Sequence, residues 1–280
     1  MTAISQKKIF EAEQIPPLSH AEAGRLAEVE LDRFLALIKT LSGDDWDEPT
    51  DCTLWNVRQV VAHQVGSYAG FAGWPEFFRQ WGTLRQKPQP GQLPVDLINH
   101  RQVEDRAQAT PAQLIAELED VGPKAIATRQ RLPVGLRALP MPFGPPLGTV
   151  RFDYLTDLIY TRDTWSHRLD ICRATGREMV LTRDHDGRML ALIVRDLAAK
   201  LDRHLEEASI VLDLTGPAGG CWRIGPAKPP TATIEMDMLD FSRLGSERLT
   251  FAEVKSQALA SISGNREVAF WVLSNAAVPF

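Results

Sequence analysis

Residues 150–175 read VRFDYLTDLIYTRDTWSHRLDICRAT, and this stretch decides the expected fold. Apolar side chains recur in its first half at three- and four-residue steps, a spacing that predicts the buried face of a helix. They are Phe152, Leu155 and Ile159. The same face then continues through Asp163, His167 and Asp170. A buried ionisable group is costly unless it is paired or bound to a metal. We therefore predict a helix over about 150–172 whose buried side carries a ligand site.

A second helix supplies a matching candidate. Asn56 and Gln59 form a predicted capping box at the start of a helix that carries His63 on its apolar face. A single histidine on such a face is usually an ordinary core residue. Asp163 and His167, however, lie one helical turn apart, as the two histidines of H-E-x-x-H do. Facing helices of a bundle can bring these three side chains together.

These three residues predict a catalytic type of metal site. Three protein ligands leave one coordination position open for a substrate or water. Mixed imidazole and carboxylate ligands favour Zn²⁺ or another divalent transition metal. Asp170, three residues after His167, has two interpretations: it orients His167 or accepts a proton, or it forms an ordinary salt bridge. The salt-bridge partners within helical reach are Arg168, Arg173 and Arg177.

Several other charged and sulfur-containing residues are predicted to lie outside the ligand site. Arg162 and Arg173 are predicted to lie on the solvated side of the same helix. The remaining histidines are predicted at the surface; they are His20, His100, His185 and His204. The three cysteines, Cys52, Cys172 and Cys221, are widely separated and include no CxxC pair, so we expect no disulfide framework.

Bulk properties exclude several classes of protein. The 280-residue chain has a net charge of −5, with acidic and basic residues interspersed, which argues against a nucleic-acid partner. Neither a signal-peptide core nor an apolar run of the ~20 residues needed for a membrane span is present. We therefore expect a cytoplasmic protein without a membrane partner, either a monomer or a homodimer.

The chain divides into three predicted regions. Residues 1–18 form an N-terminal arm, residues 19–178 a four-helix bundle, and residues 179–280 a C-terminal domain in which alternating segments such as SIVLDLTG and TATIEMDM predict strands. The Pro- and Gly-rich stretch 132–148 is expected to be a crossover loop rather than a lid, and its prolines argue against a helix. The predicted fold class is α+β: a helix bundle followed by a small α/β sandwich-like domain.

Two motifs carry a family resemblance. The stretch from Gly43-Asp-Asp-Trp46 to WNVRQVVAH at 55–63 resembles the metal-binding domain of the mycothiol-dependent maleylpyruvate isomerases, which are DinB-like four-helix bundles. Asp163-x-x-x-His167-Arg-x-Asp170 resembles that family's second motif. Residues 240–266 resemble the smaller domain of these proteins, which is similar to sterol-carrier folds. The resemblance covers most of the chain from about residue 20.

The resemblance implies roles for particular residues. His63, Asp163 and His167 would be the metal ligands and Asp170 an active-site acid. The best-known member of the family has Glu at the position of Asp163, so the shorter carboxylate implies a metal nearer this helix. A C-terminal arginine of the family also acts in the site. The candidates for that arginine are Arg243, Arg248 and Arg266.

We therefore expect an enzyme that uses Zn²⁺, or another divalent metal, together with mycothiol. It would isomerise a small-molecule electrophile or attach the thiol to it through sulfur (S-transfer). Two alternatives stay open at this point. One is a metal-dependent hydrolase, in which the open position activates water. The other is a non-catalytic protein that binds a small ligand or a lipid.

Overall fold

The computed structural model describes residues 8–89, 92–144 and 148–280. The fold is α+β, as predicted, and it divides into two compact units. The first is Leu18–Met179; the second is Val180–Phe280 together with the described residues up to Pro17. Among the described residues, every helix is too short or too polar to traverse a lipid bilayer.

The elements follow in chain order. The helices are α1 (His20–Ile38), α2 (Val57–Ala72), α3 (Trp74–Trp81), α4 (Pro94–Glu104), α5 (Pro111–Gln130), α6 (Val134–Arg137), α7 (Tyr160–Ala174), α8 (Arg188–Leu205), α9 (Met238–Gly245), α10 (Phe251–Ser256) and α11 (Arg266–Ser274). The strands are β1 (Phe10–Glu11), β2 (Pro140–Gly144), β3 (Gly148–Arg151), β4 (Ile210–Thr215), β5 (Gly220–Ile224), β6 (Ala232–Asp237) and β7 (Ala260–Gly264).

Four helices of the first unit form the bundle. Helices α1 and α2 each pack against both α5 and α7, so the four surround one apolar core. The core includes residues from all four helices, among them Phe34, Val61, Leu118 and Ile171. Helix α2 is buried on nearly all of its sides, from Val57 to Phe71. Neighbouring positions on α2 therefore both face the protein interior.

Local sequence explains where the long helices begin. The predicted capping box of α2 is present: Asn56 accepts a hydrogen bond from the Gln59 backbone N–H, and the Gln59 side chain accepts one from the Asn56 N–H, both at 3.0 Å. Ser19 caps α1 by accepting from the Glu22 backbone N–H at 3.2 Å. Each cap satisfies backbone donors that have no partner within the helix.

The prediction that 132–148 is a crossover loop without a helix is wrong. Helix α6 begins directly after Pro133, and β2 pairs with β3 as an antiparallel hairpin. Residues 145–147 lie outside the described residues. The prolines are tolerated because Pro133 precedes the first helical residue, where no N–H is needed. Pro140 and Pro142 lie in a two-stranded hairpin, whose strands are both edges.

The helix predicted over about 150–172 also begins later than expected. Residues Gly148–Arg151 form β3, and Tyr154–Ile159 form a π-helical segment that leads into α7. Phe152 is buried as predicted, but Leu158 is buried where the sequence pattern selects Leu155 and Ile159. A π-helical turn contains more residues than an α-helical turn, so a 3.6-residue period assigns the wrong positions there.

The second unit is built on a mixed sheet with the strand order β1-β5-β4-β6-β7. Strand β4 pairs parallel with β6 and antiparallel with β5, and helices α8, α9 and α11 pack against these strands. Buried and more exposed residues alternate along β6, the expected pattern for a sheet with one covered face. Within the predicted N-terminal arm, Phe10–Glu11 form β1 beside β5, where Glu11 accepts hydrogen bonds from Arg223.

Candidate metal centre

The structure brings the three predicted ligands together. His63 lies on α2, and Asp163 and His167 lie one turn apart on α7, which packs against α2. One ligand atom from each residue lies within 4.8 Å of the others. The His63 Nε2 atom is 3.1 Å from Asp163 Oδ2, and the His167 Nε2 atom is 3.4 Å from Asp163 Oδ1. Both histidines are buried and Asp163 is half-buried.

This donor set fits a divalent transition metal. Tetrahedral bonds of about 2.0–2.1 Å separate neighbouring ligand atoms by roughly 3.4 Å. The two nitrogen-to-oxygen separations of 3.1 and 3.4 Å are close to that spacing. Two imidazoles and one carboxylate suit Zn²⁺ and related ions, and three protein ligands leave a position for a further group. A cation would be held by His63, Asp163 and His167.

The charge of the Asp163 carboxylate is favoured by its neighbours. Burial by itself raises the pKa of Asp163. The charges of His167 and His63, together with hydrogen bonds from His63 and Gln64, outweigh burial and hold this pKa well below its usual range. Asp163 is therefore ionised at neutral pH, which is the form that binds a cation.

Asp170 lies where the first of its two interpretations requires. It is fully buried, and its Oδ2 accepts a hydrogen bond of 2.8 Å from His167 Nδ1. A carboxylate can only accept, so Nδ1 carries a proton, and Nε2 is the ring nitrogen that faces the centre. The arginines of the salt-bridge alternative each have another carboxylate partner: Arg168 pairs with Glu30, Arg173 with Asp51 and Arg177 with Asp45.

Trp55 packs against both imidazoles. Its ring centroid is 4.8 Å from that of His63 and 6.0 Å from that of His167. The turn before α2 fixes this tryptophan, because the Trp55 carbonyl accepts a hydrogen bond of 2.7 Å from Thr50 Oγ1. Aromatic packing of this kind restricts rotation of the histidine rings. It also gives the centre a fluorescent side chain in direct contact with two candidate ligands.

Sequence reasoning missed Gln64. This fully buried residue donates from its side-chain Nε2 to Asp163 Oδ2 at 2.6 Å. Its Oε1 accepts a hydrogen bond of 2.8 Å from Thr164 Oγ1, and Tyr68 OH lies 3.3 Å from that same hydroxyl. Gln64 directly follows His63, so a one-sided helix pattern places the two residues on different faces. Only the burial of α2 on nearly all sides shows that both point inward.

The remaining histidines divide between the surface and the interior. His100 and His204 are exposed, as predicted. The prediction for His185 is wrong, because this side chain is buried in the second unit. His20 is half-buried, and its Nδ1 lies 2.9 Å from an Asp157 carboxylate oxygen. None of these four belongs to the cluster of potential metal ligands found among the described residues.

The candidate arginines all lie in the second unit. Arg243 is buried on α9 and donates from Nη1 to Asp240 Oδ1 at 2.9 Å. The Arg248 backbone N–H donates to the Arg243 carbonyl at 2.9 Å. Arg266 begins α11, and its guanidinium lies 5.3 Å from the Phe270 ring centroid. The choice among these arginines stays a prediction.

The bundle and its cluster define a class: an α+β protein whose helical unit has a candidate His/Asp/His metal centre between two facing helices. Residues 27–172 match the family described as "Mycothiol maleylpyruvate isomerase N-terminal domain". The chain therefore belongs to this family, as the resemblance implied. The match contains all three candidate ligands and Asp170.

Two solved structures have a similar fold. A crystal structure of a mycothiol-dependent maleylpyruvate isomerase is 15% identical, with a TM-score of 0.52, and the alignment covers 83% of this chain and 90% of that one. A point mutant of a mycothiol-dependent maleylpyruvate isomerase is 14% identical, with a TM-score of 0.53 and coverage of 88% and 93%. At these identities the likeness shows a shared fold. A comparison with curated proteins finds no match.

Proposed function

We propose that this protein is a metal-dependent enzyme that uses mycothiol to isomerise a small-molecule electrophile or to attach the intact thiol to it through sulfur (S-transfer). The observation that carries the proposal is the convergence of His63, Asp163 and His167, with His167 oriented by the buried Asp170. The family to which the chain belongs supports mycothiol as the thiol. Zn²⁺ is the proposed ion, because the donor set combines imidazole and carboxylate groups.

The protein side chains contribute orientation and charge. His63, Asp163 and His167 would hold the ion, and the hydrogen bond from His167 Nδ1 to Asp170 keeps the Nε2 lone pair directed at it. When bound, such an ion lowers the pKa of a thiol in its open position, which makes a thiolate available at neutral pH. Trp55 packs against both imidazoles and covers part of their surface.

The proposed reaction needs no further reagent. Addition of a thiol sulfur to an activated carbon–carbon double bond, rotation about the former double bond and elimination of the same sulfur give the isomer and regenerate the thiol. If the adduct instead takes up the thiol proton and is released, the net reaction is S-transfer. An unsaturated diacid is the proposed substrate class. One of Arg243, Arg248 or Arg266 would bind its carboxylate with two parallel hydrogen bonds.

Metal content tests the first half of the proposal. Elemental analysis of the purified chain is expected to find about one zinc or related ion per protein, as one three-ligand site requires. His63→Ala and His167→Ala should each abolish this content. His100→Ala is the matched control, because His100 is an exposed histidine outside the cluster. A metal-free wild type, or variants that keep their metal, would refute a metal centre at this position.

Thiol dependence tests the second half. Maleylpyruvate and other unsaturated diacids would be incubated with the metal-loaded protein, with and without mycothiol, and products identified by NMR. Turnover only with mycothiol supports the proposal, and the product separates isomerisation from S-transfer. Hydrolysis of ester or amide substrates without thiol would replace it with the hydrolase alternative. Ligand binding that survives loss of His63 and His167, without turnover in any thiol assay, would indicate a non-catalytic binding protein.

A further inference from the structure

Gln64 is hydrogen-bonded to the candidate metal centre within the protein interior. Its side chain is fully buried between α2 and α7, and its Nε2 lies 2.6 Å from Asp163 Oδ2. A buried amide is costly unless its polar atoms are paired. Gln64 therefore has a defined orientation, and its chief partner is one of the three candidate ligands.

The direction of each hydrogen bond follows from the partners. A carboxylate only accepts, so the amide NH₂ must face Asp163 and the amide oxygen must face away from it. That oxygen accepts from the Thr164 hydroxyl at 2.8 Å, and the Tyr160 carbonyl, 2.9 Å from the same hydroxyl, shares this donor. Thr164 Oγ1 in turn can accept from Tyr68 OH, 3.3 Å away. The result is a chain in which Tyr68, Thr164 and Gln64 each donate toward the Asp163 carboxylate.

This chain acts on Asp163 in two ways. It helps to fix the position of a carboxylate that is more exposed than the two histidines of the cluster. It also draws negative charge from the carboxylate, so less of that charge is available to neutralise a bound cation. A hydrogen bond in a low-dielectric interior is electrostatically stronger than one in water. Partners of metal ligands commonly change both affinity and activity when they are replaced.

We propose that Gln64 is a positioning residue that holds Asp163 in its ligand geometry and tunes the metal centre through the Thr164 and Tyr68 hydroxyls. This inference rests on the proposed metal centre and deepens it. Gln64 itself need not touch metal or substrate. Its effect passes through Asp163.

Three variants test the proposal. Gln64→Met keeps a side chain of similar length but removes both amide hydrogen bonds. Thr164→Val keeps the shape of Thr164 and removes the hydroxyl that orients the Gln64 amide. Gln102→Met is the matched control: Gln102, on α4, is another buried glutamine of the first unit, but its amide donates to Gln80 rather than to Asp163. All three would be prepared as the full chain.

Two readouts separate positioning from a general effect on folding. The first is the Zn²⁺ dissociation constant from competition with a chelator. Gln64→Met is expected to bind about 10- to 100-fold more weakly, because the loss of Asp163 positioning outweighs the charge that the carboxylate regains. Thr164→Val should shift the constant less, in the same direction. The second is the visible absorption spectrum of the Co²⁺-loaded protein, which reports ligand geometry directly. It should change in both variants and stay that of wild type in Gln102→Met.

The outcomes are distinguishable. If wild type binds zinc and Gln64→Met binds it within about threefold with an unchanged Co²⁺ spectrum, the inference is overturned while the proposed function stands. If wild type binds neither ion, both fail together. Thermal unfolding of the metal-free proteins identifies a variant that does not fold. Should Gln64→Met be such a variant, Thr164→Val decides by the same two measurements, and a wild-type result for it overturns the inference.

Discussion

The ion pair between Glu30 of α1 and Arg168 of α7 anchors the helix that carries two of the candidate metal ligands. Arg168 Nε lies 2.7 Å from Glu30 Oε1, and its Nη2 lies 3.2 Å from Glu30 Oε2. Both side chains are almost completely buried. The two parallel hydrogen bonds connect α1 to α7 at the residue directly after His167. We predict that breaking this pair destabilises the bundle severely.

The magnitude follows from the burial of both charges. In Glu30→Gln the guanidinium keeps its charge but loses this carboxylate in a low-dielectric interior, at a cost of about 3–5 kcal/mol. Typical domains have a total stability of roughly 5–15 kcal/mol, so the variant would lose a large part of it. Removing both charges in Glu30→Leu/Arg168→Met should restore most of the loss, because apolar replacements of buried ion pairs are often neutral.

Urea denaturation followed by tryptophan fluorescence measures this effect. Five of the seven tryptophans lie within Leu18–Met179, so the signal reports mainly on the bundle. With a denaturant slope of about 2 kcal/mol/M, the Glu30→Gln midpoint should fall by roughly 1.5–2.5 M. A fall of less than about 0.5 M, by the same slope, would refute the reasoning. So would a double variant no more stable than the single one.

Three further changes have defined outcomes. Asp170→Asn should weaken Zn²⁺ binding about 10- to 100-fold in chelator competition, because it disturbs the proton on His167 Nδ1; an unchanged constant would contradict this role. Burial raises the pKa of Cys172 to about 11. Roughly one Cys172 thiol in a thousand is then ionised at pH 8. Iodoacetamide should therefore label Cys172 slowly in the folded chain and faster as the pH rises. Rapid labelling at pH 8 would exclude a raised pKa. At Gly122 an added Cβ would lie 2.7 Å from Leu31 Cδ2 of α1. Gly122→Val should therefore lower the free energy of unfolding by about 1–3 kcal/mol. An unaltered urea midpoint would show that α1 can move away.

Local sequence predicts the parts of this site that depend on one helix. The capping box at Asn56 and Gln59 is a three-residue pattern, and it forms as expected. The spacing of Asp163, His167 and Asp170 places them on one side of any α-helix, whatever surrounds it. The pairing of His63 with them required a further step, from the family resemblance and from the chemistry that three such groups share. These predictions used periodicity, donor chemistry and the family resemblance.

The errors arise where tertiary packing decides the outcome. Arg162 was predicted on the solvated side of its helix, but it is fully buried, because α7 is enclosed along most of its circumference. A helical period assigns one face to solvent and cannot show that a helix is enclosed. Gln64 was missed for the same reason on α2. The π-helical segment Tyr154–Ile159 has no pattern that sets it apart from an α-helix in a single sequence.

The centre therefore combines groups of two origins. Asp163, His167 and Asp170 lie within two turns of α7, so their mutual distances depend mainly on that helix. His63 and Gln64 come from α2 and reach Asp163 only when α2 and α7 pack together. Weakening the packing of α7, as Glu30→Gln does, should leave the contacts inside α7 in place while it loosens those from α2. The zinc affinity of Glu30→Gln should then fall together with the stability of the bundle, even though no candidate ligand is changed. Its Co²⁺ spectrum should resemble that of Gln64→Met rather than that of wild type.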